Sequence, residues 1–255
     1  MTGRLTVVGL GPGRADWLLP DAAQALNDAT DIVGYHTYLG LIPAEFLSQQ
    51  RIHGSDNRVE LERARLALSL AAQGHAVAVV SSGDPGVFAM AAAVFEAQID
   101  HHSKPAWLDI DVEVIPGVTA ALATAARIGA PLGHDWCCLS LSDNLKPWSI
   151  IERRLRAALS ADFALALYNP VSKARPSQLR VAFDIVASYR DAATPIVFGR
   201  NVGRRGETVT VNRLDDVELS GCDMATVILI GSSTTVTFQA GGRTRVLTPR
   251  SYPAS

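Results

Sequence analysis

Short apolar runs that end in turns of glycine and other small residues recur along the first half of the chain. These runs and their turns are residues 5–10 with 9–13, residues 76–81 with 82–86, and residues 112–115 with 116–117. Helical patterns at 21–29, 61–71 and 87–99 lie between them. Strands that alternate with helices predict a parallel sheet with right-handed crossovers. Ligands bind at the carboxyl edge of such a sheet, where the three turns should lie close together.

The composition changes near Pro116 and Gly117, which predicts two domains, 1–116 and 117–255. The second half is richer in β-branched runs, which favours a mixed, partly antiparallel sheet. Its predicted strands are residues 137–142, 163–168, 195–200, 208–212 and 226–231, and its predicted helices are residues 119–128, 149–158 and 177–189. Ser149 and Glu152 form a capping-box pattern at the start of the second of these helices. The predicted fold class is α/β, with a mostly parallel N-terminal sheet between helices and a C-terminal mixed sheet with helices.

The bulk composition limits the partners of the protein. The 255 residues carry a formal net charge of −2 and are 48% hydrophobic, so we expect neither nucleic acid nor a membrane as a partner. We see no apolar stretch long enough to span a bilayer and no leader sequence. The three cysteines, two of them adjacent, lack the spacing of a disulfide framework or a zinc site. We therefore predict a cytoplasmic protein without a protein-bound metal.

The first glycine turn invites comparison with a dinucleotide-binding loop. Arg14 stands where the third glycine of that pattern is required, and Pro12 lacks the N–H that would help to bind a pyrophosphate. The acid that binds ribose should follow the second strand, but Asp31 precedes it. An NAD-dependent oxidoreductase is therefore a weak alternative.

Taken together, the motifs resemble the tetrapyrrole (corrin/porphyrin) methylase family over essentially the whole chain. The three turns match the hallmark segments of the family in order and spacing, as Val8-Gly9-Leu10-Gly11-Pro12-Gly13, Ser82-Gly83-Asp84-Pro85 and Pro116-Gly117-Val118-Thr119-Ala120-Ala121. Motifs at 129–135, 140–148, 167–175 and 248–252 resemble the branch that methylates a corrin precursor at carbon 17 and contracts the macrocycle. Ser251 departs from that branch, where glycine is expected.

This resemblance implies a two-domain enzyme, usually a homodimer, with S-adenosylmethionine bound in a cleft between the domains. Matching positions imply the donor-binding residues Pro12, Ser82, Gly83, Asp84, Thr119, Ala120, Tyr168, Asn169, Asn201 and Thr226. The donor site of this family differs from the usual methyltransferase nucleotide loop, so general fold analogy does not locate it.

Methyl transfer to an electron-rich carbon needs alignment more than a strong base. Ring contraction, which the resemblance also implies, benefits from proton transfer at a hydroxyl of the macrocycle. The candidate catalytic residues are Asp84, His134, Asp143 and Tyr168. Asp84 has the alternative of bonding its own turn, and His134 that of a structural histidine.

The carboxylates of a tetrapyrrole require a local cationic surface despite the near-neutral total charge. Lys146, Lys173 and Arg175 lie in the most specific motifs and are the predicted substrate-binding residues, with ordinary solvated surface as their alternative role. Three other functions stay open at this point. They are methylation of the cobalt-containing intermediate, methylation of RNA or protein by a related enzyme, and simple sequestration of a tetrapyrrole.

Overall fold

The computed structural model describes residues 3–100, 104–172 and 175–252. The chain divides into two compact units, Met1–Thr119 and Ala120–Ser255. Each unit is built around a five-stranded sheet. Across the described ranges, every helix is too short or too polar to cross a lipid bilayer.

The first unit contains an entirely parallel sheet, as predicted. Its strands are β1 (Arg4–Gly9), β2 (Asp31–Tyr35), β3 (Arg51–Ser55), β4 (Ala76–Ser81) and β5 (Val112–Ile115). They lie in the order β3-β2-β4-β1-β5, and each neighbouring pair is parallel. The interior of β1 is fully buried because helices cover both of its faces.

Helices pack on both faces of this sheet. They are α1 (Pro20–Asp28), α2 (His36–Leu39), α3 (Glu60–Ala72), α4 (Met90–Ile99) and α5 (Pro105–Leu108). Leu5 and Val7 pack toward α3 and α4, whereas Val8 packs toward α1. This alternation follows the two-residue period of a strand. The helix predicted at 87–99 begins only at Met90.

The second unit contains the predicted mixed sheet. Its strands are β6 (Gly129–Ala130), β7 (Trp136–Ser140), β8 (Ala164–Tyr168), β9 (Pro195–Arg200), β10 (Thr208–Arg213), β11 (Thr226–Ile230), β12 (Val236–Ala240) and β13 (Arg243–Leu247). Five of them form the order β10-β9-β11-β8-β7, in which only β7 and β8 are parallel. The hairpin of β12 and β13, which pairs with β6, was not predicted. Its residues are largely exposed, so no apolar run marks it.

Three helices sandwich this second sheet. They are α6 (Ala120–Ile128), α7 (Trp148–Ser160) and α8 (Gln178–Ala187). One face of the sheet packs against α6, and the other face packs against α7 and α8. The predicted capping box is wrong. Pro147 is the N-cap of α7 and no side chain caps the helix, while Glu152 instead accepts hydrogen bonds from Arg156.

The buried carboxylate of Asp31 links three strands at the amino edge of the first sheet. It accepts hydrogen bonds from Arg51, His53 and His75, with nitrogen–oxygen distances of 2.7–2.9 Å. Burial alone would raise the pKa of Asp31. The hydrogen bonds outweigh burial and hold that pKa well below its ordinary value. Strand β3 has a polar sequence, so no apolar pattern predicts it. These hydrogen bonds join β3 to β2 and to the start of β4.

We predict that Asp31→Asn lowers the free energy of unfolding by about 2–3 kcal/mol at neutral pH, because it removes a buried charge that several partners share. A carboxyl group with a lowered pKa in the folded state stabilises the protein above the ordinary aspartate pKa of about 4. The difference between the two proteins should therefore shrink as the pH falls below 4. Urea unfolding, followed by circular dichroism at several pH values, measures this difference in the free energy of unfolding.

Asp28→Asn is a matched control, because Asp28 is partly exposed and lies 3.7 Å from Arg4 in a surface ion pair. Such pairs contribute little, so its unfolding midpoint should stay close to that of the parent. Equal midpoints for the two variants would contradict a stabilising role for the Asp31 cluster.

Candidate functional site

The three glycine turns of the first unit interlock at the carboxyl edge of its sheet. Gly11 and Gly83 exchange two backbone hydrogen bonds, with nitrogen–oxygen distances of 3.1 and 2.7 Å. The N–H of Leu10 donates to the carbonyl of Ser81 at 2.9 Å. The turn after β1 is therefore bonded directly to the turn after β4.

Gly117, from the turn after β5, packs against both of the other turns. A Cβ atom placed on Gly117 would lie 2.2 Å from the carbonyl oxygen of Gly83, which is far inside van der Waals contact. A Cβ on Gly9 would lie 2.7 Å from the nitrogen of Gly117. Both contacts are with backbone, so no side chain can move aside. The small residues of the motif are thus required by the approach of the three backbones.

The carboxylate of Asp84 joins two of these turns. One oxygen accepts the N–H of Gly86 at 2.8 Å, and the other accepts the N–H of Gly117 at 3.0 Å. The first bond is the turn interaction that the sequence offered as an alternative. The second was not foreseeable, because it depends on the packing of a segment 33 residues away. Asp84 therefore has a structural use, and its catalytic role stays a prediction.

The other predicted donor-binding residues of this unit lie at the same edge. Pro12 follows Gly11 and is buried, Ser82 lies half-buried beside Gly83, and Thr119 is 8% exposed. The structure thus gathers Pro12, Ser82, Gly83, Asp84 and Thr119 in one region of the first unit.

The sheet register of the second unit gathers most of the remaining predicted donor-binding residues. Thr226 is opposite Arg200, the residue that precedes Asn201. Because Ile228 is opposite Leu167, Thr226 also lies at the same level as Asn169. Tyr168, Asn169, Asn201 and Thr226 therefore share one edge of the sheet. The predicted cleft between the domains stays a prediction.

The two asparagines have an unusual backbone. Asn169 has φ +53° and Asn201 has φ +51°, and both directly follow a strand. Asparagine tolerates this left-handed region better than most residues do. The side-chain amide of Asn169 donates to the hydroxyl of Ser140 at 2.9 Å, which fixes the turn after β8 to the end of β7.

Tyr168 connects this edge to the start of α6. Its phenol oxygen accepts the N–H of Ala121 at 3.0 Å. Ala120, the first residue of α6, therefore lies close to the Tyr168 phenol. A helix N-terminus has unpaired N–H groups, and this bond satisfies one of them.

Asp143, Lys146 and Arg175 lie together beyond the carboxyl ends of β7 and β8. Asp143 is 3.4 Å from the Nε atom of Arg175 and accepts a hydrogen bond from Gln178 at 3.2 Å. Arg175 is only 3% exposed, and its guanidinium donates to the carbonyls of Leu141 and Asn169. The structure thus uses Arg175 to join two loops rather than as a surface cation. The predicted substrate-binding residue Lys173 lies outside the described residues.

Lys146 is half-buried, and its ammonium donates to the carbonyl of Ser142 at 3.2 Å. Burial lowers the pKa of Lys146, and the positive charges of Arg154 and Arg175 lower it further, while Asp143 acts in the opposite direction. A bound anion would reduce this repulsion. Of the described predicted substrate-binding residues, Lys146 is the better placed to bind a carboxylate.

His134 lies away from the other catalytic candidates. It precedes β7, whereas Ser140 ends that strand beside Tyr168, and a five-residue strand spans roughly 15 Å. The His134 ring accepts the N–H of Asp135 and packs edge-on against Tyr252, with ring centroids 5.5 Å apart. Asp143 and Tyr168 lie at the same edge of the second sheet, where the Tyr168 phenol bonds to α6 and Asp143 bonds to Gln178 of α8, whereas His134 lies at the other end of β7.

Sequence reasoning missed an ion pair next to Thr226. Arg200 donates to Asp223 at 2.7 Å, and the Thr226 hydroxyl donates to the same carboxylate at 3.0 Å. Arg200 and Thr226 also line a cavity of about 270 Å³ with Phe198 and Cys222. Burial and the charge of Asp223 raise the pKa of Cys222 to about 11, which favours the protonated thiol at neutral pH.

Comparison with known proteins adds independent information. The family model described as tetrapyrrole (corrin/porphyrin) methylases matches residues 4–218. A precorrin-3B C(17)-methyltransferase of Sinorhizobium sp is 52% identical over 254 residues, which cover 99% of this chain and 98% of that protein. A probable cobalt-factor III C(17)-methyltransferase of Salmonella typhimurium is 40% identical, over 97% of this chain and 99% of that protein.

A crystal structure of the methyltransferase CobJ has the same fold. It superposes with a TM-score of 0.90 at 47% sequence identity, and the match covers 97% of this chain and 100% of that chain. The mixed second sheet and the parallel first sheet are therefore those of a known methyltransferase fold. On the family model, the full-length relatives and this structural match, the chain belongs to the tetrapyrrole (corrin/porphyrin) methylase family.

Proposed function

We propose that this protein transfers a methyl group from S-adenosylmethionine to carbon 17 of precorrin-3B and contracts the macrocycle to give precorrin-4, a step of cobalamin biosynthesis. One observation carries the proposal. The loops of the hallmark motifs interlock through Gly11, Gly83 and Gly117 at the sheet edge where α/β proteins bind ligands. The chain matches the relative from Sinorhizobium sp along nearly the whole length of that protein, which supports precorrin-3B as the substrate.

Each of the two sheet edges carries groups of the kind that would bind a small donor molecule. When bound, S-adenosylmethionine supplies an electrophilic methyl group on a sulfonium. The glycine loops expose backbone groups that no side chain covers. The two hydrogen bonds accepted by Asp84 hold two of the loops together. Tyr168, Asn169, Asn201 and Thr226 contribute a second set of polar groups. In this proposal these residues hold the reacting groups in line and exclude water, and no strong base is required.

Ring contraction needs a proton acceptor and donor near the macrocycle. We assign this task to Asp143 and Tyr168, which lie at one edge of the second sheet, and keep Asp84 as a further candidate. His134 is left out because it lies at the other end of β7. Lys146 would bind a substrate carboxylate beside them, with Arg175 holding the loops in place. The role of Lys173 rests on the sequence motif alone.

The equivalent reaction of cobalt-factor III is the second candidate, which the relative from Salmonella typhimurium favours. We propose a cytoplasmic homodimer in either case. The three cysteines are free thiols, as expected in a reducing compartment.

We predict that the purified protein binds S-adenosylhomocysteine, the demethylated product, with one site per chain and does not bind NAD. The reason is that the acid nearest to a ribose-binding position, Asp31, is already bonded to Arg51, His53 and His75. Parallel calorimetric titrations measure both. Binding of NAD without binding of S-adenosylhomocysteine would overturn the proposal.

We predict that Asp84→Asn weakens binding of S-adenosylhomocysteine by about tenfold. An asparagine amide has one accepting oxygen, so one of the two charge-assisted bonds, from Gly86 or from Gly117, is lost. Calorimetry measures the affinity, and a thermal melt checks that the variant is folded. Asp109→Asn, at an exposed position, is the control and should bind like the parent. Parent-like binding and turnover in both variants would remove Asp84 from the site.

We expect turnover with precorrin-3B to exceed turnover with cobalt-factor III. Both substrates are supplied with S-adenosylmethionine, and methylated, ring-contracted products are identified by mass spectrometry. The opposite preference would select the second candidate, and methylation of neither would reject both.

A further inference from the structure

The loop between β9 and β10 begins with Asn201, one of the predicted donor-binding residues. Within residues 201–207, the φ angle is +51° at Asn201, +81° at Gly203 and +78° at Gly206. Glycine and asparagine tolerate these left-handed angles, but glycine adopts other conformations about as readily. The residue types therefore permit the shape of this loop without specifying it, and contacts around the loop must hold it.

The carboxylate of Glu207 bonds the middle of this loop to α6. One of its oxygens accepts the N–H of Gly203 at 2.7 Å and a guanidinium N–H of Arg127 at 3.0 Å. The other oxygen accepts the Nε–H of Arg127 at 2.5 Å. Gly203 is buried, and the side chains of Arg127 and Glu207 are 29% and 28% exposed. A two-bond pair of this kind fixes orientation as well as distance.

Helix α6 connects this ion pair to another part of the same sheet edge. Arg127 lies in the last turn of α6, where a cation interacts favourably with the helix dipole. In the first turn of the helix, the N–H of Ala121 donates to the Tyr168 phenol. The helix is thus bonded at its start to the end of β8, which precedes Asn169, and near its end to the loop that begins with Asn201. One helix therefore holds two of the segments that are predicted to bind the donor.

The contacts of Asn201 itself are made by its backbone. Its N–H donates to the carbonyl of Ala225 at 3.0 Å, and its carbonyl accepts the N–H of Arg204 at 2.8 Å. Among the residues that the structure describes, none forms a hydrogen bond with the side-chain amide of Asn201. That amide has two donors and one acceptor to offer to a ligand. The conformation of the loop decides where these groups point.

We propose that Glu207 is a positioning residue for the methyl donor. By joining Gly203 to Arg127, it keeps the loop in the shape that presents the amide of Asn201 at the sheet edge. The inference rests on the proposed function, in which Asn201 contacts the donor. It adds to that function a residue that acts through Asn201 and not by its own contact with donor or macrocycle.

Glu207→Gln tests this role, because glutamine keeps the size of the side chain but leaves one accepting oxygen for three donors. The dissociation constant of S-adenosylhomocysteine, measured by calorimetry, should rise by about five- to tenfold. The affinity for precorrin-3B, measured by absorbance without donor, should stay within about twofold of the parent, because the change is local to the donor loop. Arg127→Gln leaves the bond to Gly203 in place and should weaken S-adenosylhomocysteine by about two- to fivefold.

Asp215→Asn is the matched control. Asp215 forms the same kind of two-bond pair with Arg213, with both nitrogen–oxygen distances at 2.9 Å, at the opposite end of β10. This variant loses a comparable pair far from Asn201, so its affinity for S-adenosylhomocysteine should equal that of the parent.

A double-mutant cycle separates positioning from a general loss of stability. Asn201→Ala should weaken S-adenosylhomocysteine by about three- to tenfold. Adding Glu207→Gln to that variant should weaken binding by less than about a further twofold, because two residues that act through one contact are not additive. A merely structural role would lower the melting temperature of the Glu207→Gln protein and give additive losses in the cycle.

Each contrary result has a defined meaning. Parent-like S-adenosylhomocysteine binding in folded Glu207→Gln or Asn201→Ala protein, or additive losses in the cycle, overturns the inference while the proposed function stands. If Glu207→Gln fails to fold in a thermal melt, Arg127→Gln decides in its place, and parent-like binding by that variant overturns the inference. If the parent binds S-adenosylhomocysteine but does not methylate precorrin-3B, the binding experiments still test Glu207. If the parent binds no S-adenosylhomocysteine, both proposals fail.

Discussion

The close approach of three backbones at Gly9, Gly83 and Gly117 is the constraint on which the rest of the site depends. A single added carbon would lie 2.2 Å from the Gly83 carbonyl oxygen at Gly117 and 2.7 Å from the Gly117 nitrogen at Gly9, so these two positions require glycine. Gly83 requires it for a different reason, its φ angle of +69°. Asp84 then uses this proximity to hold Gly117 as well as its own turn. The chain passes into the second unit at Thr119 and Ala120, within three residues of Gly117. The loop that completes the first sheet edge thus leads directly into α6, which begins at Ala120.

The two ends of each sheet have different uses. At the amino edge of the first sheet, Asp31 is saturated with donors from neighbouring strands. In the second unit, buried Arg190 donates to the carbonyls of Leu159, Phe163 and Gly231 and lies 3.2 Å from Asp162. Burying such charges requires that their partners be provided within the protein. They stabilise the fold but have little capacity left to bind a ligand, which leaves chemistry to the opposite edges.

The sequence predicts these elements to the extent that they carry apolar patterns. Strands β4, β5 and β9 begin and end at the residues that their sequence patterns predict. Strand β3 and the β12–β13 hairpin were missed because their side chains are polar or exposed, so their pairing with neighbours defines them rather than burial. The same limit applies to the site. Glycine motifs identify the loops, but the bond from Gly117 to Asp84 and the separation of His134 from Tyr168 depend on register, which no local pattern encodes.

The two described cations of the substrate motifs show why residue type alone does not assign a role. Arg175 spreads its donors over two backbone carbonyls and approaches Asp143, so it serves the loops around it. Lys146 has three donors, of which one reaches Ser142, and it sits where burial and two arginines disfavour its charge. The positive charges of Arg154 and Arg175, which help to lower the pKa of Lys146, also attract an anion, and a carboxylate bound beside Lys146 would raise that pKa again. A cation held under repulsion is thus better suited to bind a substrate carboxylate than one whose charge the protein has already neutralised.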